Sequence, residues 1–257
     1  MMGVTLEVLR QIAASVGERE GWDFSRVRDA RDPMPWDYVE VARGYLQPTD
    51  HVLDVGTGGG ERFLSLARSF GAGVGVDIGP DMIKTAERNR RAAGVTHVSF
   101  EVGRAEALRF ADASFDMVLN RHSEVDVAET LRVLRPGGYF VMQQVGPRNT
   151  QNICRVFGCT PWGTHEPQER IEAAAAPAMA DAFQARGAQV VAYGHYDVRY
   201  WFLDLQSFVF WLQALPMPED FSIETHWRQV DQIVREFGTE QGIETNEQRE
   251  LLIVRKP

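Results

Sequence analysis

Cysteine is nearly missing from this chain: Cys154 and Cys159 are the only two among 257 residues. With no further Cys or His partners at ligand spacing they form no zinc framework, no metal is called for, and two thiols point to a reducing compartment rather than a disulfide scaffold. Both read best as ordinary small residues. The sequence also lacks any run of about 18 apolar residues, and no charged segment followed by an apolar stretch opens it, so a cytoplasmic protein without a membrane span is expected. Positive charge is in deficit. Lys and Arg number 27 against 36 Asp and Glu, a net charge of −9, and such a surface does not draw the protein to a polyanion, which disfavours nucleic acid as a partner. Internal repeats are absent, and the one low-complexity tract, the alanines at 173–176, is simply good helix.

The composition present is that of an ordinary globular protein, and the length supports one large α/β domain or one domain with an added cap. The expected organisation is a single domain over 1–257, with an N-terminal helical or lid segment at 1–47, a ligand-binding core at 48–145 and a substrate-side half with cap elements and final strands at 146–257.

The most informative stretch is Val52-Leu53-Asp54-Val55-Gly56-Thr57-Gly58-Gly59-Gly60-Glu61. The apolar run reads as a short buried strand, the glycines as a tight turn, and Phe63, Leu64, Leu66, Ala67 and Phe70 as the apolar face of a helix. A strand, a glycine turn and a helix start together present backbone N–H groups and let a ligand approach the main chain closely. The dinucleotide fingerprint G-x-G-x-x-G would place glycine at 61, where this chain has Glu61. An acid there suits a ligand carrying a cationic amine and sulfonium better than a pyrophosphate.

Around this stretch the elements alternate. Residues 4–16 carry helical spacing, 21–35 form a loop-rich segment with Trp22, Phe24 and Met34, and 37–46 a second helix. Strands are expected at 73–78, 98–102, 114–120 and 139–145, with helices at 80–93 and 126–134 between them. Pro136-Gly137-Gly138 reads as a purely structural turn. The second half gives a helix at 169–186, a strand at 189–193 with an extended piece at 197–203, helices at 205–215 and 223–237, and a closing strand at 250–255. Strands and helices alternating at this pitch specify an α/β fold with a doubly wound, mostly parallel, Rossmann-like sheet of seven strands.

Four segments in this order resemble the class I S-adenosylmethionine-dependent methyltransferases. They are Asp54 to Gly60, Gly75-Val76-Asp77-Ile78-Gly79-Pro80-Asp81-Met82-Ile83, the run from Ala105 to Asp116, and Arg132-Val133-Leu134-Arg135-Pro136-Gly137-Gly138. The resemblance covers about 52–145 and implies S-adenosylmethionine as cofactor and S-adenosylhomocysteine as product. It implies further that Gly56 and Gly58, with Thr57 between them, lie against the methionine portion, and that Asp54 organises the loop and the cofactor amine. Asp77 would accept from both ribose hydroxyls, Ile78 and Met82 would pack on adenine, and Ala105 would address the adenine edge through its N–H. Ile78 and Met82 suit a core equally well. The family usually places Asp before that Ala; here it is Arg104, which cannot accept from the adenine amine. Either Glu106 or a main-chain carbonyl takes that bond, or Arg104 stacks on the ring.

Residues after the fourth strand, Asn120-Arg121-His122-Ser123-Glu124, would face the methyl group, with Asn120 and Arg121 at the cofactor. His122 is the best-placed base or orienting group, or else a structural histidine beneath the cofactor. His165 and His195 lie in the capping sections as weaker candidates. Tyr196, Tyr200, Trp201, Phe202, Phe208, Phe210 and Trp211, together with Trp22, Phe24 and Trp36, would wall a small apolar or aromatic acceptor or form core. Methylation of RNA or protein, and a non-catalytic cofactor-binding module, stay open as alternatives.

Overall fold

The computed structural model of the chain describes residues 3–17, 24–166, 175–215 and 217–257. Trp22, the 169–174 part of the helix expected over 169–186, and Pro216 lie outside the described residues. In chain order the strands are β1 (Asp29–Arg31), β2 (His51–Val55), β3 (Ala72–Asp77), β4 (Val98–Val102), β5 (Phe115–Arg121), β6 (Leu134–Val145), β7 (Gln189–Phe202) and β8 (Ile243–Arg255). They form one sheet in the order β1-β7-β8-β6-β5-β2-β3-β4. The pairs β2–β3, β3–β4, β2–β5 and β5–β6 are parallel.

Eight strands replace the expected seven. The extra one is β1, within the segment read as loop; its three residues Asp-Ala-Arg are too short and too charged to show a period of two, and it is defined by antiparallel pairing with Tyr200, Trp201 and Phe202. The two extended pieces expected at 189–193 and 197–203 are one strand, and the closing strand begins at Ile243 rather than 250. Buried polar residues Thr245, Glu247, Gln248 and Glu250 hide the start of β8 from any reading based on apolar alternation.

The chain divides into two compact units. The larger comprises 35–144, 174–194 and 250–257. Here α2 (Tyr38–Arg43) is capped by Asp37, whose side chain accepts from the amides of Val39 and Glu40. It also holds α3 (Glu61–Leu66), α4 (Pro80–Ala92), α5 (Val127–Val133) and a helix at Ala176–Gln184. Parallel strands buried on both faces need apolar residues on both, and the unit accordingly has two apolar clusters. One gathers Val52, Phe63, Phe100, Met117 and Val141; the other gathers Leu53, Phe115, Val118, Phe140 and Phe183.

The smaller unit comprises 1–34, 145–173 and 195–249. The amphipathic helix α1 (Leu6–Val16) and helices at Gln151–Phe157, Leu205–Ala214 and Ile223–Phe237 bury Leu9, Ile153, Phe208, Leu212, Val230 and Ile233 together. Phe202 and Trp211 join the same core, so the helical spacing of 208 and 211 reflects packing.

Candidate functional site

In the larger unit β2 is flanked by β3 on one side and β5 on the other. The chain runs β2, β3, β4 outward, then crosses back to β5. This reversal of strand order is where open α/β sheets bind ligands, beyond the carboxyl ends of the strands.

The glycine turn after β2 has the geometry its sequence demands. Gly56, Gly58 and Gly60 have φ of 76°, 56° and 76°, a region that side-chain-bearing residues enter at a cost. At Gly56 there is a second reason for glycine: a Cβ would come within 2.2 Å of the Ser123 side chain. Ser123 closes over the turn and its hydroxyl donates to the Val55 carbonyl at 2.9 Å. At Gly60 a Cβ would come within 2.7 Å of the Phe100 ring. The loop is thus packed by its own chain as well as shaped for close approach.

Asp77, at the end of β3, ties this loop to the next. One carboxylate oxygen accepts from the Gly58 amide at 2.9 Å and the other from the Gly79 amide at 2.8 Å. A carboxylate oxygen has two acceptor positions, so each retains one for a ligand hydroxyl. Beside it, Ile78 is 60% exposed and Val102, at the end of β4, is 48% exposed. The choice between core and ligand packing for Ile78 is therefore resolved against core. Met82 is half-buried. Val102 escaped the sequence reading because an apolar residue at the end of an apolar strand looks like core.

Asp54 is buried, and burial pushes its carboxyl up from 3.8 to about 6, with Asp77 adding to the rise and Thr57 and Arg121 opposing it. Thr57 Oγ1 is itself buried without a well-formed hydrogen bond, although it lies close enough to Asp54 to favour the ionised form. An acid poised near neutrality beside an under-satisfied hydroxyl suits a cationic, hydrogen-bonding ligand group.

On the other side, Arg104 Nε donates to Glu106 in an exposed ion pair. That pair lowers the Glu106 carboxyl, after the residue's own backbone N–H. Arg104 is thus paired within its own loop with an acid two residues on. Ala105 packs partly into the apolar cluster around Leu108 and Phe115.

After β5, Asn120 is buried and spent on structure: its Nδ2 donates to Ser123 Oγ at 2.8 Å and to the Glu124 carbonyl at 2.9 Å, and its Oδ1 accepts from Gln144 at 3.0 Å. Arg121 lies near enough to Asp54 to lower its pKa. His122 is half-buried with φ of 58°, an uncommon conformation for a non-glycine residue and one that concentrates at functional sites. His165 belongs to the smaller unit, where it is exposed and its Nδ1 donates to the Gly158 carbonyl at 2.8 Å. Among the described residues no group of three or more His, Cys, Asp or Glu is placed to hold a metal ion, and no helix is long and apolar enough to cross a membrane.

The strand order, the glycine loop at the switch point and the acid at the end of the next strand together give the Rossmann-like arrangement that suits a nucleotide cofactor. A family model described as a methyltransferase domain matches residues 46–184, more than half of the chain. The chain belongs to this methyltransferase family, the class I enzymes whose motifs its sequence resembles. Over 106 residues it is 40% identical to a fatty-acid O-methyltransferase of Mycolicibacterium smegmatis, a match covering 38% of each chain. Over 107 residues it is 38% identical to a phthiotriol/phenolphthiotriol dimycocerosates methyltransferase of Mycobacterium tuberculosis, again 38% of each. The chain therefore matches well under half the length of these curated relatives. A crystal structure of a Bacillus halodurans protein provisionally described as a methyltransferase superposes with a TM-score of 0.64 at 19% identity, covering 86% of this chain and 99% of that one. At that identity the likeness is one of fold.

Proposed function

We propose that the protein methylates a small apolar or aromatic molecule on oxygen, nitrogen or carbon, using S-adenosylmethionine. The observation that carries this reading is the Asp77 carboxylate, held by two backbone amides with an acceptor position left on each oxygen, beside exposed Ile78 and Val102. A vicinal diol matches the carboxylate, and a flat purine matches the apolar pair. Asp54, near neutrality, suits the amino group of the methionine portion, with Thr57 Oγ1 as a further acceptor or donor there. Ala105 and the Arg104–Glu106 pair flank the adenine end, where Glu106 rather than Arg104 has acceptor capacity.

When bound, S-adenosylmethionine supplies an electrophilic methyl group on a sulfonium. The chain's own contribution is to fix the cofactor and exclude water so that an acceptor meets that methyl group in line. Proton removal is needed only for acceptors that arrive protonated. An apolar acceptor agrees with the named substrates of the two mycobacterial relatives, a fatty acid and a phthiotriol lipid. The free thiols Cys154 and Cys159 suit work in the cytoplasm. The test is a thermal-shift titration with S-adenosylmethionine and S-adenosylhomocysteine. A rise in Tm with both is expected, and no rise with either removes the reading.

A further inference from the structure

The helix at Gln151–Phe157 in the smaller unit ends in a turn that brings the chain's two cysteines together. Gly158 closes it at φ of 68° and ψ of 33°, the left-handed conformation of a glycine C-cap. Its N–H and that of Cys159 both donate to the Cys154 carbonyl, the second at 3.0 Å. A bond from five residues on, closed over a left-handed glycine, is the Schellman turn, which sets the side chains at its two ends against each other. Commonly that contact is apolar. Here the two ends are Cys154 and Cys159, and their thiols lie close enough for one to hydrogen-bond to the other.

Cys154 is buried and Cys159 half-buried. Around the Cys154 sulfur stand Thr150 Oγ1 at 3.5 Å, the Asn149 carbonyl at 3.6 Å and Met217 Sδ at 3.9 Å. The Cys159 thiol donates to a Cys154 thiolate and so lowers the Cys154 pKa, against the effect of burial. The same bond, with burial next and then the Cys154 charge, keeps Cys159 protonated. A nucleophilic sulfur and a protonated one therefore sit side by side.

We propose that Cys154 and Cys159 form a reversible oxidation site, a dithiol that a hydroperoxide converts to an intrachain disulfide. The Cys154 thiolate attacks the hydroxyl oxygen of the hydroperoxide and the O–O bond breaks. The other oxygen takes a proton from water and leaves as an alcohol, or as water from hydrogen peroxide, and Cys154 becomes the sulfenic acid. The Cys159 sulfur then attacks Cys154: the S–S bond forms, the S–O bond breaks, and water leaves with the Cys159 proton. In all, two thiols lose two electrons and two protons, and the hydroperoxide is reduced. With Cys159 alongside, Cys154 stops short of the sulfinic and sulfonic acids, which thiols do not restore. A disulfide that forms and reverts agrees with a chain whose thiols are free at rest. The site is independent of methyl transfer and does not fall with it.

The test treats the reduced full chain with hydrogen peroxide, alkylates the remaining thiols and digests with trypsin, which cuts after Arg155 between the two cysteines. Peptides 149–155 and 156–170 should travel as one species, two hydrogens lighter than their sum, and separate on treatment with dithiothreitol. Before digestion the protein should run as a single chain on a non-reducing gel. Because the turn holds the sulfurs together, linkage should form about tenfold faster in the native chain than in the urea-unfolded one. Gly158→Val, strained at positive φ, should slow it in the folded chain. In Cys159→Ser no partner thiol remains, and Cys154 should go on to gain two oxygens. Oxygen added to either cysteine of the parent chain without joined peptides overturns the proposal. So does a disulfide found only between chains, or linkage no faster in the native chain than in the unfolded one.

Discussion

Two acidic residues, Asp77 in the larger unit and Glu247 in the smaller, show how the same chemistry serves opposite ends. Glu247 is 6% exposed and fully engaged by its own unit: it accepts from Arg31 Nη1 at 2.7 Å and from the Tyr196 hydroxyl at 2.8 Å, with Arg249 Nη2 at 3.6 Å. Arg31 in turn pairs with Asp29 and lies over the Tyr200 ring, and Arg249 donates to Asn149 at 2.6 Å. Burial, with Glu247 next, pushes the Tyr196 hydroxyl well above its ordinary range and keeps it a neutral donor. Asp77 is half-buried, is held among the described residues by two backbone amides, and keeps acceptor capacity on both oxygens. A buried charge whose partners are side chains stabilises a particular packing. A charge gripped by main chain at the mouth of a loop is fixed in place yet still open to a ligand.

The comparison can be broken in several ways. The largest effect should come from Asp77→Ala, which would remove the two proposed charged hydrogen bonds to ligand hydroxyls as well as the link between loops. Binding of S-adenosylhomocysteine, read by calorimetry, should weaken about 100-fold, or ~3 kcal/mol. A change under about threefold would withdraw the ribose assignment. Glu247→Gln should do the reverse, costing ~2 kcal/mol of stability in a urea titration by leaving Arg31 and Arg249 short of a counter-charge, with the same ligand affinity as the parent chain. Loss of affinity in that variant would show that Glu247 is not purely structural.

The pH dependence tests Asp54. Its carboxyl is raised from 3.8 to about 6 in the folded chain, so the folded state holds the proton longer than the unfolded one. Its contribution to stability is fully present below about pH 4 and is lost as pH rises through about 6. A cationic amine bound beside it favours the ionised form, so below pH 6 binding must expel the proton. Affinity should then fall by up to about tenfold per pH unit, with proton release visible as a buffer-dependent heat. Equal heats in two buffers at pH 5.5 would place the amine elsewhere. The smallest effect is expected at Ile78. With its side chain mostly exposed, Ile78→Ser should leave the unfolding free energy from a urea titration within about 0.5 kcal/mol while weakening ligand binding about fivefold, or ~1 kcal/mol. A stability loss without an affinity loss would return Ile78 to the core.

These contrasts also explain what could be read from residues alone. The glycine turn, Asp77 and the alternation of strands and helices announce themselves because each demands a special backbone or a period. Boundaries such as Ile223–Phe237 were visible because an amphipathic helix repeats its signal over 15 residues. The start of β8 was not, since Thr245, Glu247 and Gln248 are buried through partners that lie far away in sequence. The pairing of Cys154 with Cys159 went unnoticed for a related reason: their side chains meet only because Gly158 turns the chain back at the helix end. Ile78 was ambiguous because exposure, not residue type, decides whether an apolar side chain awaits a ligand.

The grip of the Gly58 and Gly79 amides on Asp77 has an evolutionary consequence. The residue proposed to read the sugar of the ligand is also the rivet between the turn after β2 and the turn before α4. Exchanging it to accommodate a different donor molecule would release both turns at once, so the choice of donor cannot drift one substitution at a time. A lineage built on this frame would stay bound to a single source of the group it transfers.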